Sequence, residues 1–459
     1  MGAATEGVAF SHLKAVCCEG AAVTGVEQQK TAPGNYFVAN YPPFSFWKPE
    51  YLPVAQEVLG KPGAKETPLG LYLHIPFCRK RCKFCYFRVY TDKNASDIET
   101  YCNALVQEVS LYAATPFARD RGLRYVYFGG GTPSYLSASQ LRSLMSRLKK
   151  ALPWDGAEEV TFECEPGTLQ KHKLEALREL GVTRLSLGIE NFDPKILEYN
   201  GRAHLEEEVY RAYGWAREVG FEQINIDLIA GMVGETWDNW RSCVAKTLQL
   251  APESVTIYQM ELPYNTVFTR ELPLASDDPW ATVADWPTKR AWVEYAYETM
   301  LAAGYHISSS YTLVKSPQAK FVYRDALWRG ADMFGTGVAS FGHLGGVHVQ
   351  NLDRWENYLS ALERGELPLG RALPVTPEQR LIRETILQLK TGRLEVGYFA
   401  NKYGVNILER FRPIWEDYRA AGELTFDEQQ ITLTRQGLLH VDTLLPAFFE
   451  PQHRGARYT

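Results

Sequence analysis

The sequence has no long apolar run, no excess of basic residues and few cysteines. None of its apolar stretches reaches the roughly 18 residues that a membrane-spanning helix needs. The first twenty residues, MGAATEGVAFSHLKAVCCEG, lack the basic region and apolar stretch of a secretory signal. A net charge of -5 gives no electrostatic sign of nucleic-acid binding. We therefore expect a cytoplasmic protein with no membrane span, in which clustered cysteines bind metal or carry out redox chemistry more often than they form disulfides.

The chain is long enough for two or three domains, although an α/β barrel can use most of such a length as one domain. Residues 1–70 show little periodicity and contain the aromatic- and proline-rich stretch NYFVANYPPFSFW. We interpret them as an N-terminal extension that covers an apolar substrate as a lid. An aromatic clasp that packs on the rest of the protein explains the same residues.

Six strand-and-helix units follow between residues 71 and 305. Each strand is a short run of β-branched and aromatic residues, and a helical pattern follows it. The predicted strands are residues 71–75, 124–128, 159–165, 183–189, 223–229 and 254–260. Strands that alternate with helices imply a parallel sheet with right-handed crossovers. Six units favour an α/β fold with a partial (β/α)6 barrel over a flat sheet, and place the chemistry at the carboxyl ends of the strands.

The remaining residues divide into two parts. Residues 306–372 are rich in glycine and are predicted to extend the barrel and supply elements on the substrate side. Residues 373–459 have helical patterns followed by a short hairpin, LTFDEQQITLTRQG, which predicts a mainly helical, winged-helix-like domain. Because this domain is not basic, DNA binding is disfavoured.

Three of the eight cysteines lie in the stretch HIPFCRKRCKFCYF, directly after the first predicted strand. Thiolates at Cys78, Cys82 and Cys85 suit zinc or an iron–sulfur cluster. Structural zinc requires four ligands, and no fourth cysteine is near. Three cysteines can instead hold three irons of a [4Fe–4S] cluster and leave the fourth iron open for reaction, while the interspersed lysines and arginines offset the negative charge. The alternative is three reduced thiols on a surface loop.

The C-x3-C-x2-C spacing, its place after the first strand and the aromatic residue before the last cysteine resemble the radical S-adenosylmethionine (SAM) superfamily. The stretches LYLHIPFC, YFGGGTPSYL, FECEPGTL, RLSLGIENFD, NIDLIAGM and GTGVASFGHLGG resemble its oxygen-independent coproporphyrinogen oxidase-like (HemN-like) group. The resemblance implies a radical SAM barrel with a [4Fe–4S] cluster, bound SAM, a second SAM beside the first, and an external one-electron donor such as flavodoxin or ferredoxin. One electron then splits SAM into methionine and a 5′-deoxyadenosyl radical.

The resemblance also assigns roles to residues. Besides the three cysteines, it implies SAM contacts at nine positions: Tyr72, Phe84, Gly130, Gly131, Thr132, Glu163, Glu190, Arg202 and Asp227. Phe84 would lie beside the adenine, and the glycine motif near the methionine moiety, where a side chain would block close approach. Arg202 and Asp227 would bind carboxylate and ribose hydroxyls. A structural salt bridge is the alternative for each charged residue.

Two positions depart from the coproporphyrinogen oxidases. Those enzymes have a further cysteine two positions after the third cluster cysteine, where this sequence has Phe87, and a glutamine where it has Glu190. A carboxylate there would repel the propionates of a porphyrinogen unless it is paired. We therefore predict an enzyme of the methyltransferase or cyclopropanase branch, which acts on an sp2 carbon of an apolar conjugated small molecule. Oxidative decarboxylation of coproporphyrinogen III is the first alternative, and a haem chaperone is the second.

Overall fold

A computed structural model describes residues 38–263, 265–272, 278 and 280–456. Its main body is a twelve-stranded sheet whose central strands are parallel. The first six strands pair in chain order: β1 Leu69–Ile75, β2 Leu123–Gly130, β3 Glu159–Cys164, β4 Arg184–Glu190, β5 Gln223–Ala230 and β6 Ser254–Gln259. All six agree with the predicted strands to within two residues at either end, because their β-branched and aromatic runs are bounded by polar or glycine residues.

Helices connect the parallel strands and bury apolar faces against them. Following α1 Leu52–Leu59, they are α2 Ala95–Ala113, α3 Ala138–Ala151, α4 Lys171–Glu179, α5 Pro194–Tyr199, α6 Glu206–Val219, α7 Trp237–Leu250, α8 Val267–Glu271 and α9 Trp286–Ala302. The predicted apolar face of α3 is buried at Leu141, Leu144, Met145 and Leu148. No helix among the described residues is long and apolar enough to cross a membrane.

The start of α2 lies earlier than its sequence pattern predicts. The spacing of Ser96 and Glu99 in the sequence predicts a capping box, but the observed box uses Asn94 as the N-cap and Asp97 three residues later. The prediction was wrong because Asn94 Oδ1 already accepts hydrogen bonds from the first amides of the helix. At the end of α4 the sequence predicts Gly181 as the C′ residue, and Gly181 has the expected positive φ of 90°.

Residues 306–372 extend the sheet at both edges. They form β7 His306–Ser309, β8 Thr312–Val314, α10 Val322–Trp328, β9 Asp332–Thr336, β10 Phe341–Leu344, β11 Val347–Asn351, α11 Trp355–Glu363 and β12 Leu369–Pro374. The β7–β8 pair continues the sheet antiparallel beside β6. At the opposite edge β9 lies parallel to β1, so the loop after β9 reaches the same end of the sheet as the cysteines.

The C-terminal region is mainly helical, as predicted. It contains α12 Pro377–Leu389, β13 Arg393–Glu395, α13 Val396–Tyr403, α14 Ile407–Arg410, α15 Arg412–Ala420, β14 Leu424–Phe426, β15 Gln430–Leu433, α16 Arg435–Leu439 and α17 Val441–Leu444. Its three short strands form a separate antiparallel sheet. The parallel six-stranded core with this helical appendage confirms the predicted α/β fold class.

The described part of the N-terminal extension packs against the β10–β12 edge of the sheet. The Lys48 amide donates to Ala372 O at 2.9 Å. The rings of Phe44 and Trp47 lie 4.4 and 5.6 Å from that of Phe341. Its predicted role as a lid stays a prediction, since most of that extension lies outside the described residues.

Candidate active site

The three predicted cluster cysteines lie together on the loop that follows β1. All three are half-buried, whereas Cys102, Cys164 and Cys243 are buried. The Cys85 amide donates to Cys82 O at 3.1 Å, which turns the loop back on itself. The negative charges of the thiolates would act on each other, and burial raises the pKa of Cys78 to about 11 and that of Cys85 to about 12. These thiols therefore stay protonated until a metal replaces the protons.

The donor set suits an iron–sulfur cluster, because each of the three soft thiolates can bind a different iron. Two donors from the barrel reach the thiols: Thr132 Oγ1 lies 3.3 Å from Cys78 Sγ, and Arg202 Nη1 lies 3.5 Å from Cys82 Sγ. Both would compensate thiolate charge.

The glycine motif after β2 packs directly on the cysteine loop. The Gly131 and Thr132 amides donate to Ile75 O and Phe77 O at 2.9 and 2.8 Å. Gly130 has a φ of 113°, and a Cβ there would lie 2.3 Å from His74 Nδ1. At Gly131 a Cβ would lie 2.8 Å from the carbonyl carbon of Pro76. The glycines are thus required for contact between this turn and β1, a reason additional to close approach of a ligand.

Three predicted acidic residues lie on the inner face of neighbouring strands. Register pairs Glu163 with Ser186, and Gly188 with Asp227. Glu163 accepts hydrogen bonds from the Tyr127 hydroxyl at 2.7 Å and the Gly130 amide at 3.1 Å.

Asp227 has local partners for both of its carboxylate oxygens. They accept from Ser186 Oγ at 2.8 Å and Asn225 Nδ2 at 2.9 Å. Burial raises the pKa of Glu163 and of Glu190 to about 7 and also raises that of Asp227. The charge of Asp227 adds to the shifts of Glu163 and Glu190, and the charge of Glu163 adds to that of Glu190. This layer therefore has an excess of acidic groups, which favours a cationic ligand such as the sulfonium and ammonium groups of SAM.

Arg202 bridges the acidic layer and the cysteine loop. Its guanidinium donates to Cys82 Sγ and to Gly188 O, and lies 3.8 Å from Glu190 Oε1. Glu190 itself has a φ of 65°, an uncommon conformation for a non-glycine residue, at the end of β4. Arg202 Nε is buried without a hydrogen-bond partner among the described residues. The N–H group of Arg202 Nε is therefore available to donate a hydrogen bond to a polar ligand.

The two aromatic residues predicted to contact SAM, Tyr72 and Phe84, have different surroundings. The Tyr72 ring stacks on Tyr127 with centroids 5.9 Å apart, and its hydroxyl lies 3.3 Å from His74 Nδ1. Phe84 instead packs in an apolar cluster with Met232 and Met260. Tyr72 thus lies next to the glycine motif and Glu163, whereas Phe84 lies across the site on the side of β5 and β6.

Three exposed aromatic residues, on the cysteine loop and on β6, were not assigned to ligand binding by the sequence analysis, which noted Phe87 only as a departure from the coproporphyrinogen oxidases. Tyr86 and Phe87 follow Cys85, stack with centroids 4.6 Å apart, and are 42% and 47% exposed. Tyr258 lies on β6, which pairs with β5 and β8 on its two sides, yet it is also 42% exposed, so it faces an open space. We call these three residues the aromatic mouth. The alternation of β6 could have shown that Tyr258 shares a face with Thr256, whose register partner is Asp227.

Comparison with known proteins identifies the superfamily of the chain. Residues 72–245 match the family model of the radical SAM superfamily. The chain is 30% identical to the haem chaperone HemW of Bacillus subtilis over 82% of this chain and 98% of the relative. It is 27% identical to the oxygen-independent coproporphyrinogen III oxidase of Pseudomonas aeruginosa over 83% of this chain and 85% of that protein.

A solved structure supports the fold over nearly the whole chain. The coproporphyrinogen III oxidase HemN of Escherichia coli, described as a radical SAM enzyme, aligns with a TM-score of 0.77. The alignment covers 90% of this chain and 97% of that protein at 23% identity. It therefore confirms the predicted partial barrel and its C-terminal region.

Proposed function

This chain belongs to the HemN-like family of the radical SAM superfamily, and from that premise we propose that it oxidatively decarboxylates a propionate side chain of a porphyrinogen. The family uses a [4Fe–4S] cluster and SAM, which supply a 5′-deoxyadenosyl radical when an external donor delivers one electron. In this chain Cys78, Cys82 and Cys85 would hold the cluster. Arg202 would compensate thiolate charge, and the acidic layer would bind SAM.

The observation that carries the proposal is the aromatic mouth. Tyr86, Phe87 and Tyr258 offer exposed rings beside the cysteines, and pyrrole rings can stack on such surfaces. Arg88, directly after Phe87, is held by an exposed ion pair with Asp353 at 3.2 Å. Exposed pairs contribute little stability, so Arg88 can exchange this partner for a substrate carboxylate.

The surroundings of Glu190 support a porphyrinogen substrate. The sequence predicts that the Glu190 carboxylate repels propionates unless it is paired. Its neighbour Arg202 offsets that charge, and burial raises the pKa of Glu190 to about 7, so that the group is partly neutral near neutral pH. The methyltransferase prediction has no such support: none of the relatives described above has a methyltransferase name.

The proposed reaction has three steps: abstraction of a hydrogen atom, release of carbon dioxide and transfer of one electron. The propionate loses a hydrogen atom from the carbon next to the ring to the 5′-deoxyadenosyl radical. The resulting substrate radical releases carbon dioxide and passes one electron to an external acceptor, which leaves a vinyl group. Tyr86 and Phe87 would hold the ring, and Arg88 would hold a carboxylate away from the acidic layer.

Haem binding without turnover is the second candidate. Phe87 stands where coproporphyrinogen oxidases have a further cysteine, and the Bacillus subtilis relative, 30% identical to this chain, is named a haem chaperone. The same aromatic mouth would then receive the face of a haem.

One anaerobic experiment separates these functions. Reconstituted protein, SAM labelled with deuterium on its methyl group, a reductant and coproporphyrinogen III are incubated together, with Cys82→Ala as control. We expect carbon dioxide, a vinyl-bearing product and unlabelled 5′-deoxyadenosine, all absent with the control. Deuterium in 5′-deoxyadenosine would instead support methyl transfer. No decarboxylation, together with tight binding of haem in a parallel titration, would support the chaperone.

Variants of the aromatic mouth test the observation itself. Phe87→Ala should raise the substrate KM while leaving cluster content intact, because the exposed ring contacts substrate rather than iron. Trp237→Ala is the matched control, since Trp237 is 37% exposed and its ring packs edge-on against Trp292 and Tyr295 of α9. Equal KM values for both variants would refute a role for the mouth.

A further inference from the structure

The part of the cysteine loop between the first two cysteines, residues 79–81, has no regular structure of its own. On either side the loop is tied down: the Cys78 amide donates to Tyr90 O, and the Lys83 amide donates to Asn200 O, both at 3.0 Å. Within the described part of the chain, residues 79–81 take part in no backbone–backbone hydrogen bond. The path of the chain between Cys78 and Cys82 therefore depends on side chains.

Arg79 supplies the link to the barrel. Its Nε donates to Glu165 Oε2 at 3.2 Å and its Nη2 to Glu165 Oε1 at 2.6 Å, a two-point contact between guanidinium and carboxylate. The same Nη2 donates to Ala203 O at 3.1 Å. Arg81, in contrast, donates to Cys85 O within the loop and ties it to nothing outside. Paired charge-assisted hydrogen bonds fix geometry as well as contributing energy, so Arg79 is positioned to hold this segment.

Glu165 is itself fixed in a rigid turn after β3. Its amide donates to Ser134 Oγ at 3.0 Å, and its carbonyl accepts from Thr168 Oγ1 at 2.8 Å. The Lys173 ammonium donates to Ser134 O at 2.7 Å, which joins this turn to the glycine motif turn. The Glu165 side chain is only 9% exposed. The carboxylate that receives Arg79 is therefore anchored in the same elements that bear the glycine motif.

Gly167 leaves the space that the Arg79 side chain needs. A Cβ at this position would lie 2.1 Å from Arg79 Nη2 and 2.7 Å from Glu208 Oε2. The backbone of Gly167 is not in the left-handed region. An alanine would thus displace the guanidinium without straining the main chain, because it meets only the ends of side chains.

We propose that the Arg79–Glu165 pair is a positioning element that sets the spacing of Cys78 and Cys82 for the cluster. The pair holds residues 79–81 before iron binds, so the thiols are already arranged in the apoprotein. Loss of either partner frees this segment and loosens the cluster that forms there. The inference rests on the cluster chemistry of the family and is independent of the substrate proposed above, so decarboxylation can fail without affecting it.

The test uses Arg79→Gln, Glu165→Gln and the charge-exchanged double variant with Arg79→Glu and Glu165→Arg. In the apoprotein, hydrogen exchange of peptides that span residues 78–85 should rise by about fivefold to tenfold in each single variant, allowing for the partial exposure of Arg79. After reconstitution, iron content should fall and the electron paramagnetic resonance signal of the reduced cluster should broaden. The double variant should restore both.

Two controls keep the test specific. Arg142→Gln breaks an exposed pair with Glu179 between α3 and α4 and should change none of these measurements. Gly167→Ala should reproduce the effect of Arg79→Gln through displacement alone, whereas Gly156→Ala, where a Cβ meets nothing within 4 Å, should not. Wild-type exchange and an unchanged signal in both Glu165→Gln and Gly167→Ala would overturn the proposal.

Discussion

Three acidic side chains on the inner face of the barrel favour a cationic ligand. Burial raises the pKa of Glu163, Glu190 and Asp227, and the charge of Asp227 raises the pKa of the other two further. Such a group of acids is unfavourable unless cations or hydrogen-bond donors balance it. Arg202 supplies one cation, and a cationic cofactor would supply more.

Substitution of Asp227 therefore tests whether these acidic residues bind SAM. Asp227→Ala should weaken SAM binding by roughly 1.5–3 kcal/mol, about 10- to 150-fold in affinity, because a hydrogen bond to a charged group is lost. Cluster content should stay intact, since the hydrogen bonds of Asp227 go to Ser186 and Asn225 rather than to the cysteine loop. Calorimetry with SAM measures the change, and Asp155→Ala, in an exposed pair with Lys149, is the control. Unchanged affinity would exclude the contact.

The cysteines give a second prediction. Replacement of any one cluster cysteine by alanine should abolish the broad absorbance of the cluster and all SAM cleavage, because one iron loses its ligand. The variants to compare are Cys78→Ala, Cys82→Ala and Cys85→Ala. The buried Cys102, Cys164 and Cys243 should be dispensable for both measurements, as should Cys17 and Cys18, which lie outside the described residues. SAM cleavage by Cys82→Ala would disprove the assignment.

Among the secondary-structure elements, the sequence predicts those with strong patterns and misses those diluted by glycine. The parallel strands have unbroken apolar runs, whereas β9 has the sequence DMFGT and adjoins further glycines, so its pattern is weak although every residue is buried. The cysteine loop could be predicted because its three cysteines form a short and distinctive motif. Contacts such as Arg202 with Cys82 join residues 120 positions apart, and no local pattern encodes them.

Helix α2 fixes the loop after β9 through a buried acid. Glu108 accepts hydrogen bonds from the Gly337 amide at 2.8 Å, from Asn351 Nδ2 at 2.6 Å and from the Tyr358 hydroxyl at 2.6 Å. Burial raises the pKa of Glu108 to about 7 from an ordinary value of 4.5. Between these two values the folded chain keeps a proton that the unfolded chain releases, so the contribution of Glu108 to stability falls as pH rises.

Glu108→Gln should remove that pH dependence. Up to about 1.4 kcal/mol per pH unit of the wild-type decrease should be absent between about pH 4.5 and 7. The variant should also be less stable by about 1–3 kcal/mol at low pH, because an amide cannot accept from all three donors. Urea unfolding at several pH values measures both effects. The neighbouring Tyr101, Tyr112 and Tyr358 have raised pKa values and stay neutral throughout. Parallel curves for the two proteins would contradict the prediction.

At the scale of the whole molecule, one buried ion pair joins the N-terminal segment, the sheet and the C-terminal region. The Lys390 ammonium lies 2.9 Å from Asp442 Oδ1 and donates to Val38 O at 2.6 Å. The Val38 amide donates to Asp442 at 3.0 Å, and the Tyr311 hydroxyl donates to the same carboxylate. Burial lowers the pKa of Lys390 and raises that of Asp442, so each charge depends on its partner.

Lys390→Met should therefore destabilise the protein by about 3–5 kcal/mol, because it leaves the Asp442 carboxylate buried without this cation. Adding Asp442→Asn should recover part of the loss, since the amide oxygen still accepts a hydrogen bond and no charge remains. Arg410→Met, which breaks an exposed pair with Glu378, is the matched control and should cost less than about 1 kcal/mol. Because Val38 loses a hydrogen bond, Lys390→Met should also speed proteolysis near residues 38–48. If Lys390→Met unfolds at the same urea concentration as Arg410→Met, the buried pair does not hold these three parts together.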